Sequence, residues 1–233
     1  MTPREQPEQQ APPVQRLRVR YAKRGPARFT SHRDFSRAFE RALRRAEVPM
    51  AYSSGYSPHP RISYANASPT SAATEAEYLE IGLAQMCDPS RVRDALDAAL
   101  PPGLVILTVV EADRTSFADL LTASTWSVDM GDVDADVLAS AVERLLASDE
   151  VHITRMTKSG LRDFDVRAAV IELAVVDDRT LRLVSLQQTP LVRPDDVVAA
   201  LRKVEPRLDT GRPALLLRID QGRLVDGAMV APF

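Results

Sequence analysis

A chain of 233 residues that is 45% hydrophobic and 27% charged has the apolar content of an ordinary globular protein, enough for one large core or two small ones. Its net charge of −2 excludes a uniformly basic polyanion binder, and a lone Cys87 excludes an internal disulfide or a cysteine-ligated cluster. No apolar run approaches the roughly 20 residues of a membrane-spanning helix, so a soluble, cytoplasmic protein is expected.

The charge is unevenly shared. Residues 16–61 hold twelve Lys/Arg against only Asp34, Glu40 and Glu47, a net +9 that leaves −11 for the remainder. Twenty-seven of the thirty basic residues are Arg, whose planar guanidinium grips phosphate oxygens in bidentate fashion. A basic surface on an acidic body points to a polyanion as partner.

In chain order, residues 1–15 carry Pro3, Pro7, Pro12 and Pro13 among Gln and Glu and lack both the apolar centre of a signal peptide and the Arg/Ser bias of a transit peptide. They read as a disordered tail. Residues 17–22 alternate Leu17, Val19 and Tyr21 with Arg18 and Arg20, the period of a half-buried strand. A helix follows, opened by Ser31 with Asp34 three residues on, a capping-box-like start. Its apolar positions Phe35, Ala38, Phe39, Ala42, Leu43 and Ala46 form one stripe, which leaves Arg33, Arg37, Arg41, Arg44 and Arg45 within about 120° on the opposite side. After a Gly/Pro loop, strands are predicted at 61–65 and 78–83, a helix from Pro89 to the Pro101-Pro102-Gly103 stop, and a β-branched strand at 104–110. The order βαββαβ is the ferredoxin-like split βαβ.

The second half reads more loosely: strands at 125–130 and 151–156 around a helix at 134–147, a hairpin at 171–176 and 181–186, a helix at 194–204 and a strand at 214–219. This has one strand too many for a clean repeat, so an insertion near 159–169 is inferred. The expected fold class is α+β: two tandem ferredoxin-like domains at 16–111 and 124–233, joined through 112–123, each an antiparallel sheet with helices on one face.

The arginine face of the first helix is the leading candidate site, because only Glu40 is spaced to neutralise it and a phosphate backbone would relieve the repulsion. Next is the cassette at 52–61. Gly55 permits positive φ while Pro58 and Pro60 stiffen the backbone on either side of His59. Tyr52 and Tyr56 are placed to stack bases and Arg61 to hold a phosphate, unless the tyrosines pack against the sheet. His32 in the first helical turn and His59 are the candidate acid–base pair for metal-independent RNA cleavage, if the loop folds back over the helix start. Arg155, Lys158, Arg162 and Arg167 form a second basic cluster that would extend a groove. Glu75 and Glu77 are too few donors for a Mg²⁺ site and are expected to pair with arginines. There is no P-loop, GxGxxG, GxSxG or HExxH, so no cofactor or nucleotide-hydrolysing centre is expected.

The segments Arg28-Phe29-Thr30-Ser31-His32-Arg33-Asp34, Arg41-Ala42-Leu43-Arg44-Arg45-Ala46, the 52–61 cassette and Glu75-Ala76-Glu77-Tyr78-Leu79-Glu80-Ile81 resemble the radical-SAM-linked family of bacterial proteins of unknown function. Lys158-Ser159-Gly160 and Asp165-Val166-Arg167 resemble its second half more weakly. Where that family tends to have Gly before the Glu-rich strand, this chain has Ser71. The resemblance implies company with a radical-SAM enzyme or a ribonuclease of the E/G type, hence RNA metabolism, and carries no activity of its own. The architecture is also similar to the RNA-processing proteins of CRISPR systems, by fold analogy only. Three functions are therefore expected as alternatives. The first is an RNA-binding accessory protein presenting transfer or ribosomal RNA to a partner enzyme. The second is an endoribonuclease using His32 and His59, and the third a module docking an acidic protein.

Overall fold

The computed structural model describes residues 9–157 and 160–233. The chain forms two compact units, residues 1–116 with Phe233 and residues 117–232.

Unit 1 contains β1 (Gln15–Lys23), α1 (His32–Arg45), β2 (Ile62–Ala65), β3 (Ala73–Leu83), α2 (Pro89–Ala99) and β4 (Leu104–Glu111). Its strands lie in the order β4-β1-β3-β2, every pair antiparallel. Leu17, Val19 and Tyr21 of β1 and Leu79, Ile81 and Leu83 of β3 point to one face. There they join Phe35, Phe39 and Leu43 of α1 and Val92 and Leu96 of α2 in a single core. Both helices thus cover the same face. Fully burying each large side chain contributes about 1.5–3 kcal/mol, and the Tyr21 and Phe35 rings stack at 4.3 Å.

Residues 1–8 of the expected tail lie outside the described residues. From Gln10 onward the chain is tied down: Gln10 N–H donates to Ser54 Oγ at 2.9 Å and Val14 N–H to Leu83 O at 2.8 Å. Gln15 opens β1 rather than closing the tail. Its buried amide accepts from Cys87 N–H at 2.8 Å and donates to Cys87 O at 3.1 Å, so a polar residue is satisfied at the strand start. β3 begins five residues before the predicted start, because Thr74 and Ala76 supply a buried face too small to register as apolar alternation.

Unit 2 contains α3 (Phe117–Leu120), β5 (Ala123–Asp129), α4 (Ala135–Ala147), β6 (His152–Thr157), β7 (Gly160–Asp165), β8 (Val170–Val175), β9 (Thr180–Leu186), α5 (Pro194–Val204), β10 (Leu215–Val225) and β11 (Ala228–Val230). Asp134 caps α4 by accepting from the N–H groups of Asp136 and Val137. The strands run β10-β5-β9-β8, all antiparallel, with β11 on the far part of β10. The surplus strand is explained by β6 and β7, which among the described residues pair with each other in a hairpin outside that sheet. The predicted insertion is this hairpin's second strand. With the hairpin set aside, β5-α4-β8-β9-α5-β10 repeats the element order and strand order of unit 1. The final strand runs past Ile219 through a bulge between Arg218 and Asp220. α3 falls within the stretch expected to be a plain linker. Among the described residues no helix is long and apolar enough to cross a membrane.

Candidate nucleic-acid interface

α1 is built as its spacing demands. Ser31 Oγ accepts from Asp34 N–H at 3.2 Å and donates to Asp34 Oδ2 at 2.7 Å, satisfying the free helix start. Phe35, Ala38, Phe39, Ala42 and Leu43 are buried, while Arg33, Arg37, Arg41, Arg44 and Arg45 are exposed. Arg45 is already occupied: its Nη1 donates to Ala99 O at 2.9 Å, a carbonyl in the last turn of α2 that lacks a helical partner. Among the described residues no carboxylate lies within ion-pair distance of Arg33, Arg37, Arg41 or Arg44. Four guanidinium groups therefore share one helix face without local neutralisation.

The 52–61 cassette is held at both ends against β3. Ala51 N–H donates to Gly82 O, Gly82 N–H to Arg61 O, and Arg61 N–H to Ala51 O, each at 2.8–2.9 Å. Within the loop, Ser53 N–H donates to His59 O and His59 N–H to Ser53 Oγ, and Gly55 takes φ +120° at the tip. Tyr52 and Tyr56 are 40% and 67% exposed. Arg61 Nε donates to Tyr52 O at 3.0 Å, which fixes the side chain along the loop.

His59 and Arg61 line a cavity of about 330 Å³ together with Arg16, Ser63 and Glu80. Ser63 pairs in register with Glu80, and Tyr64 with Leu79. Since side chains alternate across a strand, this cavity lies on the sheet face opposite the helices. His32 is on the helix side, edge-on to the Tyr64 ring at 4.8 Å, and Tyr64 in turn meets Phe35. The two histidines are thus on opposite faces of the sheet, and the loop does not bring them together as an acid–base pair. For the same reason Arg61 does not share a surface with the α1 arginines.

Glu75 and Glu77 sit two residues apart on β3 and are separately engaged. Glu75 takes Arg24 in a two-pronged pair, at 2.7 Å to Nε and 2.5 Å to Nη2, and raises the guanidinium pKa by hydrogen bond and charge. Glu77 is buried and accepts from Ser68 N–H. Among the described residues no group of three or more His, Cys, Asp or Glu is arranged to hold a metal ion. Ser71, at the position where Gly was expected, has φ +95°. The turn keeps the glycine conformation without the glycine, clamped by Ser71 N–H to Arg28 O at 3.0 Å and Arg28 Nε to Ser71 O at 2.6 Å.

The second basic cluster divides. Arg155 is bound to Asp196 Oδ2 and Leu191 O and lies over the Phe164 ring at 4.4 Å. Arg167 is half-buried, and its Nη1 donates to Val170 O at 3.1 Å. Arg162 is exposed, and Lys158 lies outside the described residues. One residue of the cavity beside His59 was missed by sequence reasoning: Arg16, which strand alternation puts on the face away from Leu17.

A family model described as "Uncharacterized protein conserved in bacteria (DUF2344)" matches residues 16–194. No curated protein matches the chain.

Proposed function

The chain belongs to this uncharacterized bacterial family, DUF2344, and we propose that it is an RNA-binding accessory protein that presents a structured RNA to a partner enzyme. The observation that carries the reading is the unneutralised row of Arg33, Arg37, Arg41 and Arg44 on α1. Rows of guanidinium groups gain affinity for a phosphate backbone through counterion release. Tyr52 and Tyr56 supply stacking rings for unpaired bases near the loop. A radical-SAM enzyme or a ribonuclease of the E/G type is the partner class that the family resemblance implies. Both units are proposed to be ferredoxin-like, which the shared strand order of β4-β1-β3-β2 and β10-β5-β9-β8 supports. Cleavage by a His32–His59 pair forms no part of the proposal, because the sheet separates them.

Gel-shift titration of a tRNA hairpin and a single strand at low and moderate salt tests the reading. Binding should fall steeply with salt, and in R37E/R41E/R44E the slope of log K against log salt should flatten by about 2–3 for three lost contacts. Arg45 is left out of this variant because it serves the end of α2. RNA affinity unchanged in the folded variant overturns the proposal, as does nuclease-resistant capture of an acidic protein that depends on these arginines without any RNA binding.

A further inference from the structure

Unit 2 holds a cavity of about 340 Å³ between the β6–β7 hairpin and the stretch leading into α5. Its walls include Arg155, Arg162, Arg193, Phe164, Met156 and Leu191. Arg155 and Arg162 are directly opposite each other in the hairpin register. Like charges at opposed positions destabilise a strand pair, and the two ends of this one are resolved differently. Arg155 is neutralised by Asp196, a buried carboxylate in the first turn of α5 that also accepts from Arg193 N–H at 2.8 Å. Its guanidinium is further fixed by Leu191 O and the buried Phe164 ring.

Arg162 and Arg193 are exposed, and among the described residues no carboxylate is within ion-pair distance of either. Asp196 is occupied by Arg155, and the Asp195 carboxyl is held above its usual range, first by burial and then by Asp196, against the lowering charges of Arg193 and Arg155. Beside these two guanidinium groups stands Leu191, an apolar side chain 39% exposed; Met156, one residue along β6 from Arg155, faces the other side of the hairpin. Two guanidinium groups beside an apolar wall, in a space at the low end of the ~300–1,000 Å³ of small-molecule sites, fit a phosphate joined to a flat ring.

We propose that this cavity binds one nucleoside monophosphate unit, its phosphate between Arg162 and Arg193 and its base along Leu191, with Arg155 over Phe164 as the fixed back wall. The unit comes either as a free nucleotide or as the 5′-phosphorylated end of an RNA. The site rests on unit 2 alone, so it stands or falls separately from RNA binding by α1.

Calorimetric titration of the full chain tests it with AMP, UMP, adenosine and inorganic phosphate. Wild type should bind the nucleotides saturably, and more tightly than adenosine or phosphate. R162A/R193A should lose about 10-fold or more in nucleotide affinity, with its circular dichroism unchanged because both side chains are on the surface. R37E/R41E/R44E should keep it. In that same α1-reversed background, tighter binding of a 5′-phosphorylated oligonucleotide than of its 5′-hydroxyl twin identifies the chain end as the source; equal binding with AMP still bound identifies the free nucleotide. Absence of saturable AMP or UMP binding in wild type overturns the proposal, and so does equal affinity in R162A/R193A.

Discussion

The arginines of β1 and the arginines of α1 come from the same basic stretch, yet they do opposite things. Arg18 is 3% exposed, paired with Asp113 at 2.8 Å and Glu80 at 3.5 Å and donating to the carbonyl of Thr115. Arg16 reaches Glu80 at 3.6 Å, and Arg24 is clasped by Glu75. On α1, Arg33, Arg37, Arg41 and Arg44 have no such partner among the described residues. The acids that neutralise the strand arginines lie outside residues 16–61, so the +9 counted along the chain overstates the basic surface that folding leaves. A further pair, Arg28 and Arg45, is spent on the carbonyls of Ser71 and Ala99. Charge density marks a candidate surface, and only the distant partners decide which part of it is available.

The sharpest way to break this contrast is to reverse the charge of each group. R37E/R41E/R44E should lower RNA affinity by about 100-fold or more near 0.1 M salt, with the urea midpoint unchanged. Arg16→Glu should leave affinity within a few-fold. Equal losses from both, measured by the same gel shift, would erase the distinction.

Stability should respond in the reverse order. Arg18→Ala removes a buried, doubly paired guanidinium and should cost about 3 kcal/mol in chemical denaturation, while RNA binding by the folded protein persists. Arg41→Ala, on an open helix face, should change stability by less than about 0.5 kcal/mol. A destabilised Arg41→Ala would show that the α1 arginines have structural partners after all.

The paired state also has a pH signature in unit 2. Glu205 is held by Arg207 at 2.9 Å to each oxygen, with Arg144 at 3.5 Å, and its pKa is lowered from 4.5 to about 2, first through the Arg207 hydrogen bonds. A carboxyl whose folded pKa is depressed stabilises the fold fully above its unfolded value and loses that contribution as pH falls through the folded one. Stability should therefore decline between pH 4.5 and about 2, and E205Q should flatten that part of the acid-denaturation curve. An unaltered curve in E205Q would remove Glu205 from the group of structural pairs.

What could be read in advance follows from how local each cause is. α1 was legible because its apolar stripe, its Ser31 cap and its arginine face are all written locally. In unit 1, β1 and the core half of β3 were legible from their alternation. β7 was not legible as a strand: in Gly160–Asp165 only Phe164 is buried, and among the described residues its pairing is with β6. The histidine pair failed because a one-residue step along β2 decides the face, and nothing near His59 fixes that step. Charge neutralisation was the least readable feature, since Arg18 and Asp113 sit at opposite ends of unit 1's sequence.

The smallest expected effect lies at the turn where Arg28 is spent. Ser71 holds φ +95°, a region in which a side chain is strained and glycine is not. Glycine there gains back the strain and forfeits some unfolded-state entropy, so Ser71→Gly should stabilise unit 1 by about 0.5–1 kcal/mol. Both backbone clamps to Arg28 survive, because they use only the amide and carbonyl of residue 71. Ser71→Ala separates the causes: it keeps the Cβ and should match wild type in a thermal melt. If alanine and glycine stabilise alike, the φ angle is not the origin, and the Ser71 hydroxyl, which both variants lack, sets the difference.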